Sequence, residues 1–223
     1  MAKNSKWKGR IFILAILGLV ISWVWILSKA KYEVGTLPYY GEKFVEPNGD
    51  TAYHTIENFK LTSHYNKPFT EDSLMGKIHL ANFFFTTCPS ICPAINNNIN
   101  LVVNKFQNVD DVMFISYTVD PETDTVEQLV RYAKRYNNQP NWRFITGGKQ
   151  SIYRLAEFSY LAIAPGASQD AFAHTEKLTL IDHKGRIRGI YEGRGDQRVL
   201  NEIIDAIKLL RLEMHKDEKQ SSD

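Results

Sequence analysis

The feature that most limits what this chain can fold into is the run His79–Phe85 (HLANFFF), followed at once by TTCPSICPAI. A short apolar run bounded by turn residues reads as a strand buried on both faces. After it, Ile95, Ile99, Val102, Val103 and Phe106 recur at helical spacing. The alternation then repeats. VMFISYTV (112–119) is a second buried strand ending at Asp120-Pro121, and Thr125 can cap a helix that turns Val126, Leu129, Val130 and Ala133 inward. WRFIT (142–146) reads as a third strand, and Ile152, Leu155, Ala156 and Phe158 suggest another helix. KLTLID and RIRGIYEG flank a hairpin turn at His183-Lys184-Gly185, and a last helix covers about Gln197–Met214. Strands alternating with helices, then a hairpin and a terminal helix, predict an α/β domain with a mixed central sheet. With 223 residues and 43% hydrophobic content the chain suits one sizeable core. A net charge of +2 offers no broad basic surface for nucleic acid.

Residues 11–28 (IFILAILGLVISWVWILS) carry no charge, and Lys3, Lys6, Lys8 and Arg10 precede them. Eighteen helical residues span about 27 Å, close to the roughly 30 Å hydrocarbon core of a bilayer. The run therefore predicts a single transmembrane helix at 11–28 after a basic cytoplasmic stretch at 1–10. Trp23 and Trp25 lie toward its far end, where aromatic rings settle at the interface. A cleaved signal peptide is the competing reading, because Ser28-Lys29-Ala30 loosely fits a cleavage site. Residues 29–54 read as a tether, 55–214 as the domain and 215–223 as a flexible tail. No Arg-rich, Ser-rich presequence precedes the run, which favours a bacterial inner membrane with the domain facing the periplasm or cell exterior.

The chain has two cysteines, Cys88 and Cys92, four residues apart. In a helical turn or tight loop that spacing puts both sulfurs on one side, near enough to share a metal or to bond to each other. Pro89 and Pro93 stiffen the backbone around them, and the first turn of a following helix favours thiolate over thiol. Two thiolates select soft metals: Cu(I), Zn(II) or an iron–sulfur cluster. A four-cysteine cluster is impossible here, and a structural zinc site would normally need two histidines as well. The plain alternative is a structural disulfide, although so small a loop gains little from one.

Six histidines are available to complete a metal site: His54, His64, His79, His174, His183 and His215. Three have solvated readings, His54 in the tether, His183 in the hairpin turn and His215 in the tail, while His79 opens a strand. His174 lies in a loop (APGASQDAFAHTE) ahead of a strand, where a sheet can bring it beside another strand's end. Spacing alone does not select it.

FFFTTCPSICPAI, VDPETDT (119–125) and AHTEKLTLID (173–182) occur in that order behind an apolar N-terminal run. In these motifs, and over about Ile56 to Leu210, the chain resembles the Sco/SenC proteins, copper-handling factors for assembly of the binuclear copper centre in cytochrome c oxidase. The resemblance implies a thioredoxin-like fold and one copper ion, Cu(I) or Cu(II), bound by Cys88, Cys92 and His174, with Asp120 supporting the site by hydrogen bonding. Val126 departs from the family pattern, which often has a second proline there, and bears on helix entry and not on ligation. The implied function is a membrane-anchored metallochaperone, with enzymatic thiol–disulfide reductase activity left open. Its partners would be the copper-binding oxidase subunit and a periplasmic copper donor. The alternatives are a thiol–disulfide oxidoreductase, with Cys88 and Cys92 as its redox pair, and a redox or copper sensor. An oxidoreductase has no chemical need for His174.

Overall fold

The computed structural model describes residues 14, 16–19, 21–23, 36–166 and 175–222. They fall in two compact units, residues 1–35 and residues 36–223. In the first, the described residues are helical. The expected membrane anchor needs correction. Among the described residues no helix is long and apolar enough to cross a membrane. A span needs about 20 consecutive apolar helical residues, and the described residues contain no such helix. The inferred single-pass placement in a bacterial inner membrane falls with the anchor. Residues 1–10, the rest of 11–28 and residues 29–35 lie outside the described residues.

The second unit is built on a seven-stranded sheet. Its strands are β3 (Lys60–Ser63), β4 (Pro68–Thr70), β5 (Ile78–Phe84), β6 (Val112–Thr118), β7 (Trp142–Thr146), β8 (Lys177–Ile181) and β9 (Ile187–Glu192), in the order β4-β3-β7-β6-β5-β8-β9. A separate hairpin pairs β1 (Lys43–Val45) with β2 (Thr51–Tyr53). The three central strands β5, β6 and β7 run parallel, and the outer pairs are antiparallel. The sheet is therefore mixed, as the alternating pattern predicts. The helices are α1 (Ile91–Val103), α2 (Val126–Ala133), α3 (Lys149–Arg154, continued by a π turn over Leu155–Ser159) and α4 (Gln197–Ser222).

Every residue of β5 and β6 is buried, because both faces of the sheet are covered. Successive side chains alternate between faces. Ile78, Leu80 and Phe84 join Ile95, Leu129 and Ile203 in one core, while Ala81 and Phe83 join Ile115, Ile152 and Leu155 in the other. Each such apolar side chain contributes about 1.5–3 kcal/mol through burial. Thr125 caps α2, its hydroxyl accepting from the Gln128 N–H at 3.4 Å.

The buried polar groups behind α1 form one chain. Trp142 Nε1 donates to Ser116 Oγ at 2.9 Å, and Ser116 Oγ donates to Asn82 Oδ1 at 2.6 Å. Asn82 Nδ2 then donates to Asn96 Oδ1 at 3.2 Å, and Asn96 Nδ2 to the Tyr132 hydroxyl at 3.0 Å. Asn96 sits on α1 with no exposure, so these bonds fix the rotation of the helix that carries Cys92.

Candidate metal centre

Strand β5 ends at Phe84, and the cysteine loop runs from there into α1, which begins at Ile91. Ser90 occupies the cap position of α1, but its side chain makes no capping hydrogen bond. The sulfur of Cys88 takes that place: the Cys92 N–H donates to Cys88 Sγ at 3.3 Å. Burial pushes the Cys88 thiol up, yet the N–H groups of Cys92, Ser90 and Ile91 and the Cys92 side chain outweigh it, and the net shift is downward. Cys92 goes the other way. Burial, only partly countered by the Phe85 N–H, together with Cys88 and the Asp124 carboxylate, pushes its thiol up to about 12. Both thiols are free and nearly buried, with 8% and 5% of their surface exposed. Pro93 falls in the first turn of α1, where the missing N–H costs nothing.

The loop is held from below by a carboxylate. Asp124 is fully buried; it accepts from the Thr86 N–H at 3.0 Å, from the Thr118 hydroxyl at 2.5 Å and from the Thr86 hydroxyl. Gln128 Nε2 adds a bond to Thr86 Oγ1 at 3.1 Å. One buried side chain thus joins the end of β6, the entry of α2 and the strand side of the cysteine loop. Within VDPETDT (119–125) Asp120 was the expected supporting residue, and Asp124 was not singled out. The structure places Asp120 as a turn residue: its carbonyl accepts from the N–H groups of Thr123 and Asp124, and its own N–H donates to Thr118 Oγ1. Among the described residues no hydrogen bond joins Asp120 to either cysteine. The signal for Asp124 was its place directly before the capping Thr125, at the junction of strand and helix.

His174 lies outside the described residues. The strand that follows it is described. β8 runs antiparallel to β5 with Ala81 opposite Thr179, so its first residue, Lys177, lies toward the Phe83 end, where the cysteine loop begins. Thr175 is pinned by a bond from its hydroxyl to the Ala162 carbonyl at 3.0 Å. The other five histidines are engaged elsewhere. His54 bonds the Ser159 carbonyl at 2.8 Å, and His79 bonds the Tyr160 hydroxyl at 3.2 Å. His64 Nδ1 accepts from the Phe144 N–H at 3.2 Å. His183 lies 3.4 Å from Asp217, and His215 lies 3.2 Å from Glu218. Burial keeps His64 and His79 neutral, at about 4 and about 3. Among the described residues no group of three His, Cys, Asp or Glu side chains could hold a metal ion. Two of the three expected ligands are therefore in view, side by side, and the third belongs to residues 167–174.

Residues 47–208, well over half of the chain, match the SCO1/SenC family. The chain belongs to the SCO1/SenC family. Within SCO1/SenC it is similar to the SCO1 protein homolog of Bacillus subtilis (strain 168), with 33% identity over 149 residues, covering 65% of this chain and 77% of that relative. It is similar in structure to BsSco, a member of the Sco family of cytochrome c oxidase assembly proteins in which a disulfide switch has been identified. That likeness has a TM-score of 0.61 at 28% identity and covers 70% of this chain and 93% of the other. It is also similar to Bradyrhizobium japonicum ScoI with copper bound, with a TM-score of 0.55 at 26% identity over 70% of this chain and 98% of that one. These SCO1/SenC structures support the thioredoxin-like α/β fold.

Proposed function

We propose that this chain is a copper metallochaperone that holds one copper ion, as its cargo, through Cys88, Cys92 and His174 and assists assembly of the binuclear copper centre of cytochrome c oxidase. The observation that carries the reading is the reduced cysteine pair at the N-terminus of α1, with Cys88 Sγ drawn onto the first-turn N–H groups. Two adjacent soft donors suit Cu(I), and the positive helix end lowers the cost of the negative charge that thiolates bring. Metal binding replaces the thiol protons, so uptake releases protons to solvent. His174 is the proposed third ligand because the family resemblance names it and because β8, the strand that follows it, pairs with β5 so that its first residue lies toward the end of β5 that leads into the cysteine loop. Asp120 is proposed as a supporting group near the turn, and residues 55–214 as the working domain. The copper-bound ScoI relative supports the cargo, and membership of the oxidase assembly family supports the target.

A second reading rests on the inequality of the two thiols. Cys88, the more acidic, suits nucleophilic attack on a disulfide of the oxidase subunit. Cys92, once deprotonated, would then displace the mixed disulfide, leaving a Cys88–Cys92 disulfide and two thiols on the target. The disulfide switch in BsSco favours keeping this reading. The test is oxidase assembly in cells lacking the protein, grown with and without excess copper. Rescue by copper supports delivery. Failure of copper to rescue, with rescue by a small-molecule dithiol instead, supports the reductase.

A further inference from the structure

At the opposite end of the parallel strands from the cysteines, two adjoining cavities of about 270 Å³ and 520 Å³ share Lys77, Met113, Pro140 and Arg143. Lys77 immediately precedes β5, while Met113 and Arg143 lie at the starts of β6 and β7. Together they form one cleft across the N-terminal ends of three strands. Its size is that of a small-molecule site. Lys67 adds a third cation from the edge beside β4, and among the described residues Asp110 is the one carboxylate on the lining.

The charges in this cleft differ from those elsewhere in the molecule. Among the described residues, four arginines are half-buried or buried: Arg143, Arg186, Arg188 and Arg211. Three of them meet carboxylates. Arg186 pairs with Asp182 at 2.7 Å, Arg188 with Glu213 at 2.7 Å and Arg211 with Asp111 at 2.9 Å. Arg143 meets none; its guanidinium donates to the backbone carbonyls of Pro140 and Trp142 and lies 4.9 Å from the Tyr65 ring centroid. The lysines repeat the pattern. Lys149 and Lys77 are the half-buried ones, and Lys149 lies 3.8 Å from Glu122. Among the described residues Lys77 has no carboxylate within ion-pair distance, and neither has Lys67. Partly desolvating a cation without a counter-charge costs free energy. Among the described half-buried and buried lysines and arginines that cost stands at Lys77 and Arg143, and both line the same cleft. The Arg143 charge reaches further, since it acts after burial to lower the neighbouring His64.

We propose that this cleft binds a small, multiply charged anion bearing phosphate or carboxylate groups, with Lys77 and Arg143 as the principal donors and Lys67 at the rim. Arg143 supplies a planar fork for two oxygens, which its stacking on Tyr65 holds in orientation. Lys77 supplies a point charge across the cleft.

The test is calorimetric titration of the full chain at low salt with two probes, inorganic pyrophosphate and citrate. The expected result is saturable binding of at least one probe, weakened about tenfold in Lys77→Gln/Arg143→Gln, as loss of a charged hydrogen-bond partner implies. Pyrophosphate alone assigns a phosphate ligand, and citrate alone assigns a polycarboxylate. Lys77→Gln by itself carries the test if the Arg143 change disturbs the strand, with a weakening of about threefold or more expected. The proposal is overturned if neither probe binds, or if binding is undiminished in the Lys77→Gln protein. Copper uptake should match wild type in these variants, so the result stands apart from the cysteine site.

Discussion

The two ends of the central parallel strands handle charge in opposite ways. At the C-terminal end Asp124 is wholly buried, and three donors meet its carboxylate. At the N-terminal end Lys77 and Arg143 are half-buried with no carboxylate partner among the described residues. One end is internally satisfied and therefore rigid; the other keeps its donors open to a visitor. The cysteine site needs the first arrangement. A copper ion held there as proposed would require two thiols kept within reach of it by a backbone that does not collapse when the metal leaves, and the Asp124 carboxylate beneath the loop supplies that support.

The contrast can be broken most forcefully at Asp124. Asp124→Ala strands the Thr86 N–H and two hydroxyls in the interior, and should lower stability by about 3 kcal/mol or more. Urea unfolding checks this, and copper uptake should fall with it. A loss below about 1 kcal/mol would mean the loop does not depend on the carboxylate. Next in size is Asn96→Ala. It leaves Asn82 Nδ2 without its acceptor, and should cost about 2 kcal/mol on the same measurement.

The thiols sharpen the comparison through pH. Cys92 has a raised value, so its contribution to stability is complete below the ordinary thiol value of 9.0 and is lost as pH rises from there toward about 12. Cys88 has a lowered value, so it stabilises above 9.0 and loses that contribution as pH falls through its folded value. Alkylation of the reduced, native protein should therefore modify Cys88 at a pH where Cys92 is still protected, and peptide mass analysis across a pH series reads it out. Equal labelling of the two would remove the asymmetry on which the reductase reading depends. The smallest effect belongs to Thr125→Ala, about 1 kcal/mol from loss of the α2 cap, measured by thermal unfolding.

The sheet was legible where side chains carry a period. The buried runs of β5, β6 and β7, the hairpin turn at His183-Lys184-Gly185 and the cap at Thr125 all follow from local pattern. Strands β3 and β4 are four and three residues long, too short for a period to show. The hairpin β1–β2 looks like a tether in sequence because its side chains are mostly exposed. Helix α4 continues to Ser222, past the last apolar residue that pattern can detect. The cysteine pair was visible from spacing, but Asp124 was not, because its partners Thr86 and Thr118 lie on other elements. Arg188 was hidden for the same reason. It is buried among Asp182, Glu213 and the carbonyls of Leu37 and Pro38, contacts that span up to 151 residues. The apolar run at 11–28 shows the reverse error, a strong local pattern read as a span that the described residues do not form.

The proposed site holds copper through two thiolates and one imidazole. Its most direct test is the copper content and affinity of purified reduced protein beside His174→Ala, with the thiolate-to-copper charge-transfer band followed in both. One copper per chain is expected in the native protein, and in the variant an affinity lower by orders of magnitude with the Cys88–Cys92 disulfide still able to form. One copper retained by His174→Ala at native affinity would contradict it.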